Sequence, residues 1–267
     1  MNILQKLWVN TQLLFRDYAT LKLFRLEDYG KPKYGMESQG MDVVDDMYII
    51  QASDNTGKNA SVVVIDMLAK KIVNETVLGL HSHVNNVNAT DDMLYISECK
   101  GKQRCHGYIS QIPTFYREPA LTLSYRGVHY DNCKNAFDWF VDGKFIYTFG
   151  MADGNGAIEV LKFKKPYAVG NKTLSDRDIL HSFTLTDCHV YQGTKVICGK
   201  LYALFGLGTK ECPTYLKIID LEKGEIERSI RIDGLGELEA LGKYEDGIIV
   251  VNCAYNPTYT FVKLKNK

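Results

Sequence analysis

The sequence predicts an all-β protein, a single-domain β-propeller of five blades with four strands each. Short segments rich in β-branched and aromatic residues recur along the chain, and turn-forming residues bound each of them. The segments repeat at a period of about 50 residues, the length of one four-stranded blade. Of the 267 residues, 45% are hydrophobic and 17 are tyrosines, so a large β-rich core can form.

Strand patterns account for most of the chain. We expect strands in the segments MYII (47–50), SVVVID (61–66), MLYIS (93–97), KFIYTF (144–149), KLYALF (200–205), YLKIID (215–220), GIIVV (247–251) and YTFVKL (259–264). A helix is expected only in the first 15 or so residues, where Leu4, Leu7, Trp8 and Leu14 approach helical spacing.

Five pieces of the chain align on a polar residue that precedes an apolar strand. Their starts are 47, 52, 54 and 47 residues apart and fall at Gln39, Asn86, Asp138, Gln192 and Glu239. Each piece runs through a weakly apolar strand and a short turn into a strongly apolar strand, as the first hairpin of a blade does. Asp66 and Asp220 precede equivalent hairpins later in their pieces, which marks the second half of a blade.

The N-terminal segment, residues 1–36, lies outside the five repeats and has a predicted role in closing the ring. The last repeat is one strand short, because the chain ends after YTFVKLK. The segment TLKLFRL (20–26) has a strand pattern, and we expect it to pair with the C-terminal strand, since an open ring would expose two sheet edges. No linker or low-complexity stretch divides residues 1–267, so we expect one domain.

Charge does not favour nucleic acid or a membrane as a partner. The chain carries 32 Lys and Arg against 32 Asp and Glu, a formal net charge of +0. No apolar run approaches the ~18 residues of a membrane span, and the first residues lack the apolar stretch of an export signal. We therefore expect a monomer that is cytoplasmic by default, with an extracytoplasmic location as the alternative.

The seven cysteines show no CxxC pair and no zinc-type spacing. Free thiols in a reducing compartment are the interpretation that this pattern favours over a disulfide scaffold. Cys99 and Cys105 flank a short polar stretch and are the one plausible pair for a loop bridge. The sequence leaves open whether they are bridged.

The five polar residues that start the repeats form the candidate ligand-binding site. In a propeller the innermost strands line a central channel, so Gln39, Asn86, Asp138, Gln192 and Glu239 are expected to converge there. Such a ring of amides and carboxylates could bind a hard cation, a sugar or only water. The alternative is that these side chains satisfy backbone groups where blades meet.

The segment HSHVNNVN adds two histidines beside Asn86. His81 and His83 have the spacing of one strand face, yet no third ligand follows at a spacing typical of zinc. Hydrogen bonding from a rim loop is therefore the favoured use. His83 joins the candidate ligand-binding residues, and it is the best candidate for a general base because its ordinary pKa lies near neutrality.

Asp138 and Glu239 are the two carboxylates of the predicted ring. Across a narrow channel they could divide the acid and base roles that glycoside hydrolysis requires. The motifs GxSxG, HExxH, GxxxxGK[ST] and GxGxxG are absent from the sequence, so α/β-hydrolase, zincin, P-loop and Rossmann functions have no support.

Several short motifs together resemble a largely uncharacterised family of bacterial β-propellers. They are HVNNVN, LYISEC with the following RC, YTFG, QGTKVICGKLYALFG, YLKIIDL and ELEAL, and they span about residues 37–265. The chain is more distantly similar to the lactonase-type, gluconolactonase-like propellers, which have six blades and hold a divalent cation in the channel. That similarity implies Asn86, Asp138 and Glu239 as metal ligands and a Ca²⁺ ion as the cofactor.

The sequence therefore predicts a binding β-propeller. Its partner would be a small polar ligand or a loop of another protein, held at the rim of the central channel. The first alternative is a hydrolase acting on a sugar or lactone, with or without calcium. The second is a scaffold that binds proteins through its outer faces.

Overall fold

The computed structural model describes residues 1–32, 37–54, 60–77, 83–90, 93–99, 105–111, 125–130, 138–150, 152–165, 172–252 and 256–266. One α-helix, α1 (Ile3–Phe15), precedes the strands within these ranges. Short 3₁₀ turns occur at Leu26–Asp28 and Asp176–Asp178. The remaining regular structure is β, and it forms five sheets.

Each sheet is built from strands that follow one another in the chain. The first sheet contains β2 (Glu37–Val44), β3 (Tyr48–Asp54), β4 (Ser61–Asp66) and β5 (Lys71–Val77). The second contains β6 (His83–Thr90), β7 (Met93–Cys99), β8 (Cys105–Gln111) and β9 (Tyr125–Tyr130), with β13 (Lys172–Leu174) added at its edge. The third contains β10 (Asp138–Asp142), β11 (Phe145–Phe149), β12 (Ile158–Lys164) and β14 (Ile179–Leu185).

The last two sheets complete the molecule. The fourth contains β15 (Tyr191–Ile197), β16 (Lys200–Phe205), β17 (Thr214–Asp220) and β18 (Glu225–Ile232). The fifth contains β19 (Leu238–Tyr244), β20 (Gly247–Asn252), β21 (Thr258–Leu264) and, from the other end of the chain, β1 (Tyr18–Arg25).

Strand β1 supplies the outer strand of the fifth sheet, as the sequence predicts. It pairs antiparallel with β21, from Tyr18 opposite Leu264 to Arg25 opposite Thr258. This pairing covers the edge that β21 would otherwise present to solvent. The two ends of the chain are thereby joined in one sheet.

The second sheet departs from the predicted four strands. Strand β13 lies parallel to the outer strand β9, with Lys172 opposite Val128. The chain then turns back through β14, which completes the third sheet beside β12. The chain segment that leads to β14 thus covers the free edge of the second sheet, which a purely repeating pattern does not predict.

The hydrophobic core lies between successive sheets. Five clusters of buried side chains each join two sheets: the first to the second, the second to the third, the third to the fourth, the fourth to the fifth, and the fifth to the first. Face-to-face packing of radial sheets in cyclic order is the packing of a β-propeller. The predicted all-β propeller fold is confirmed.

The first strands of the sheets are the innermost, and they contact one another in the cyclic order β2, β6, β10, β15, β19 and back to β2. Glycines allow the closest approaches. A Cβ atom on Gly40 would lie 2.6 Å from the Cα of Asn86, and one on Gly193 would lie 2.6 Å from the carbonyl oxygen of Glu239. The centre of the molecule is therefore tightly packed.

Helix α1 confirms the helix expected at the start of the chain. Asn2 caps it, since the Asn2 side chain accepts a hydrogen bond from the Gln5 amide at 2.9 Å. Val9 is buried and packs with Leu13 against Ala19 of β1 and Phe261 of β21. The helix is thus held against the outer part of the fifth sheet.

Three cysteines in the described part of the chain, Cys188, Cys198 and Cys212, are free thiols. The backbone of β7 and β8 places Cys99 opposite Cys105. The side chains of these two residues lie outside the described part. A disulfide bridge between them and two free thiols therefore both stay predictions.

Candidate functional site in the central channel

The predicted ring residues occupy two different positions on the innermost strands. Asn86 and Asp138 each lie four residues before the end of their strand, whereas Gln39, Gln192 and Glu239 lie five residues before it. The register shifts at these points in β2, β6, β15 and β19, where a β-bulge adds a residue. Three of the five predicted residues therefore lie one position away from the level that Asn86 and Asp138 share.

The true counterparts of Asn86 and Asp138 are small. Gly40, Gly193 and Ala240 lie four residues before the ends of β2, β15 and β19. Three small residues at this level leave space that two polar side chains fill. Asn86 and Asp138 meet there, with 3.2 Å between the Asn86 Nδ2 and an Asp138 carboxylate oxygen.

Asp138 is fully buried, at 0% exposed, and both of its carboxylate oxygens accept hydrogen bonds. Oδ1 accepts from the Ser97 hydroxyl and from the Trp139 backbone amide, the latter at 2.7 Å. Oδ2 accepts from the Tyr191 hydroxyl and from Asn86. The carboxylate is therefore surrounded by donors from three sheets.

Asn86 also joins this network to the fourth sheet. Its Nδ2 donates to the Thr194 hydroxyl at 2.9 Å, and its Oδ1 accepts from the Val87 backbone amide at 2.9 Å. Strands β6 and β15, which carry Asn86 and Thr194, are not neighbours in the cyclic order of the innermost strands. The amide therefore links strands that face each other across the centre.

An ion pair makes a second link between strands that are not neighbours. It lies two residues further along the innermost strands than Asn86, toward the turns into the second strands. The Lys195 ammonium on β15 donates to Oδ2 of Asp42 on β2, and the same oxygen accepts from the Ala89 backbone amide at 2.7 Å. Asp42 is fully buried. The equivalent residue of β19, which lies between β15 and β2, is Gly242. A Cβ atom there would lie 2.9 Å from the Val43 backbone nitrogen, so the glycine lets β19 approach β2 closely.

The other predicted residues lie around this centre. Gln39 and Glu239 are buried, at 9% and 8% exposed. Gln192 is half-buried and donates from Nε2 to Glu237 Oε1 at 3.0 Å and to the Gly206 carbonyl at 3.3 Å. His83 begins β6, but its side chain lies outside the described residues, as does the whole of His81.

Sequence reasoning missed most of the polar partners. Asp42 and Lys195 occupy equivalent places in the repeat starts QGMD and QGTK, so their opposite charges at one position were a usable signal. Ser97, Thr194 and Tyr191 had no such signal, because single hydroxyl residues in strands are common and their direction depends on the register.

Burial raises the pKa of the Asp138 carboxyl to about 7, although the donors from Ser97, Trp139 and Asn86 act to lower it. The folded protein therefore keeps a proton on Asp138 between about pH 4 and pH 7, where the unfolded chain releases it. This contribution to stability is fully present below pH 4 and is lost as the pH rises to 7.

We accordingly expect Asp138→Asn to change the pH dependence of stability. The free energy of unfolding of the wild type, relative to the variant, should fall between pH 4.5 and 7 by up to about 1.4 kcal/mol per pH unit and stay level above pH 8. Urea unfolding at half-unit pH steps measures this difference. Parallel curves for the two proteins across the range would contradict the raised pKa.

The Ca²⁺ ion that the resemblance implies does not fit the contacts of its proposed ligands. Asn86 turns its NH₂ group, not its oxygen, toward Asp138, and Asn86 Oδ1 is engaged by a backbone amide. Among the residues that the structure describes, no three His, Cys, Asp or Glu side chains cluster as metal ligands do. Glu239, the third implied ligand, lies on β19 and has its backbone against Gly193.

Comparisons with known proteins reach the fold and no further. No protein family matches the chain, and no curated protein matches it, so the lactonase resemblance gains no support. The tail fibre of a Staphylococcus aureus phage has a TM-score of 0.56 at 10% identity, covering 98% of this chain and 56% of that one. The bifunctional GH43-CE protein of Bacteroides eggerthii has a TM-score of 0.54 at 11% identity, covering 85% and 33%.

A third solved structure is the WD40 β-propeller domain of Doa1, with a TM-score of 0.46 at 9% identity, covering 91% of this chain and 96% of that domain. Of the two larger proteins named above, the chain spans about half of the tail fibre and a third of the GH43-CE protein. Identities near 10% concern the fold alone. Within the described part of the chain, no helix is both long and apolar enough to span a bilayer.

Proposed function

We propose that the chain is a protein-binding β-propeller of five blades, in which each of the five sheets is one blade. The five clusters between successive sheets and the cyclic contacts of the innermost strands support this count. The strand β13 is then an edge strand that the second blade gains from the chain segment leading to β14.

In this proposal the central polar residues hold the blades together. Asp138, Asn86 and Asp42 are buried, and donors or acceptors of the protein itself occupy their polar atoms. A ligand in the channel would have to replace these hydrogen bonds, and a buried Asp138 has no exposed face for a sugar or lactone. This favours binding at an exposed surface over binding in the channel.

The exposed surface that we assign to a partner lies where the innermost strands begin, which we call the upper rim. Val190, just before β15, has a φ of 51°, a strained conformation for a β-branched residue. Its side chain is exposed, as is that of Leu207 after β16, and a backbone hydrogen bond of 2.8 Å from Gly206 to Val190 joins the two segments. Gln192 and Glu237 lie beside them.

The strained and exposed Val190 carries the proposal. Strain of this kind costs of order 1–3 kcal/mol and concentrates at functional sites, where another gain compensates for it. Two exposed apolar side chains bordered by an amide and a carboxylate have the composition of a protein interface, with an apolar centre and a polar edge. A small polar ligand would not require the apolar pair.

A photo-reactive amino acid at position 190 tests this function in cells of the native source. We expect a discrete cross-linked adduct from position 190 and none from Leu68, an exposed leucine in the turn after β4 at the opposite end of the sheets. In the purified protein, Val190→Gly should raise the melting temperature, because glycine tolerates a positive φ. The partner identified by cross-linking can then be purified and used in a pull-down. The Val190→Gly variant should capture less of this partner than the wild type does.

Two results would overturn the proposal. One is the same adduct pattern from positions 190 and 68, which would show that the rim has no specific partner. The other is turnover of a glycoside or lactone that Asp138→Asn abolishes while circular dichroism shows an intact fold. The second result would instead establish the hydrolase.

A further inference from the structure

Helix α1 presents an apolar face to solvent. Its exposed side chains are 58–82% exposed and comprise Ile3, Leu4, Leu7, Trp8, Leu14 and Phe15. At 100° per residue these positions, with Thr11 among them, fall within an arc of about 140°. The opposite side of the helix holds it to the protein through Val9 and Leu13. The helix therefore buries its smaller apolar side and exposes its larger one.

The size of this face matches an interface. Four aliphatic side chains, a tryptophan and a phenylalanine at these exposures amount to on the order of 800 Å² of apolar surface. The largest apolar patch of a typical monomer is about 300–600 Å², and one partner of a standard interface buries about 800 Å².

Charge argues against a lipid surface as the occupant. Lys6 is the one charged residue of α1, and its ammonium lies 3.2 Å from a Glu245 carboxylate oxygen. Lys263, beside the helix, is likewise paired, with its ammonium 2.6 Å from an Asp246 carboxylate oxygen, so these two lysines add no unpaired positive charge to the apolar face. Interfacial helices typically carry several Lys or Arg residues on the polar face, which attract anionic lipids, and α1 lacks them.

We infer that the apolar face of α1 binds the same face of a second copy of this chain. The arc contains no charged residue, so nothing in it repels its own copy. Its one polar member, Thr11, donates its hydroxyl to the Leu7 carbonyl at 2.9 Å and so needs no water when covered. A two-fold axis makes a single patch sufficient for a closed dimer.

An antiparallel pairing of the two helices fits this face. With the axis at the midpoint of the stripe from Ile3 to Phe15, Ile3 lies opposite Phe15 of the second copy, Leu4 lies opposite its Leu14, and Leu7 lies opposite its Thr11. Each pair occurs twice, so both ends of the helix and its centre are covered. α1 precedes β1 at the end of the fifth sheet opposite the upper rim, which leaves the rim proposed above free in the dimer.

Sedimentation velocity of the full chain over a dilution series tests the dimer. We expect a monomer–dimer equilibrium that Trp8→Glu weakens about 30-fold or more, as loss of a central interface residue does. Leu180→Glu is the matched control, since Leu180 is equally exposed but lies on β14 of the third sheet, and it should leave the equilibrium unchanged. Thr11→Leu should strengthen the dimer.

Tryptophan fluorescence gives a second readout, because Trp8 is one of two tryptophans and the other, Trp139, is buried. Dilution should therefore shift the emission to the red as Trp8 becomes exposed. A monomer at every concentration, or equal weakening by Leu180→Glu, would overturn the inference. A blue shift produced only by phosphatidylcholine–phosphatidylglycerol vesicles would also overturn it and assign the face to lipid.

Discussion

Deletion of residues 1–26 is expected to lower the melting temperature by about 10–20 °C. The deletion removes β1, and with it the buried side chains of Ala19, Phe24 and Leu26 and the whole antiparallel pairing with β21. Burial of the two large side chains contributes about 1.5–3 kcal/mol each, and one kcal/mol corresponds to about 2–4 °C in a chain of this size. The lost backbone pairing adds to this and leaves β21 as an open edge.

Deletion of residues 1–15 is the control for this experiment. It removes α1 but keeps β1, so only the contacts of Val9 and Leu13 are lost. We expect a decrease of a few degrees in differential scanning calorimetry. Equal decreases for the two deletions would show that β1 adds no stability beyond that of the helix.

Gly40→Ala is expected to destabilise the fold by about 3 kcal/mol, a large effect for one methyl group. The added Cβ would lie 2.6 Å from the Cα of Asn86 and 2.8 Å from the backbone nitrogen of Val87. These are backbone atoms, which cannot turn away as a flexible side chain can. Moving β2 from β6 would also disturb the hydrogen bonds of Asn86.

Gly154→Ala is the control for this variant, because it also replaces a glycine by alanine but creates no steric clash. A Cβ at Gly154, in the loop between β11 and β12, meets no atom within 4 Å. Urea unfolding should give this variant a midpoint near that of the wild type and give Gly40→Ala a clearly lower one. Matching midpoints would mean that the innermost strands are not packed as tightly as described.

The sequence predicts the large-scale architecture well because repetition and alternation are local signals. The strand segments, the starts of the repeats near Gln39 and Glu239, and the pairing of residues 20–26 with the C-terminal strand follow from periodicity and from the need to cover sheet edges. The edge strand β13 does not follow, since three residues that pair in parallel with another sheet have no pattern of their own.

The candidate site is harder to predict, because a β-bulge changes which side chains share a level. The bulges place Gln39 and Gln192 one residue away from the position that Asn86 and Asp138 share, although all of them precede similar strands. A shift of one residue turns a side chain to the other face of its strand. Alignment of the repeats predicted a ring of five polar residues. The register leaves only Asn86 and Asp138 at one level, and small residues occupy the other three positions.

The contacts between opposite strands have a consequence for how the molecule comes apart. In a repeat protein whose units touch only their neighbours, unfolding can begin at one unit and spread along the array. Here the Asn86–Thr194 and Asp42–Lys195 pairs tie units that are not adjacent, so loosening one sheet removes support from a distant one. Native-state hydrogen exchange should then show the five innermost strands opening together, as a single cooperative unit rather than in sequence.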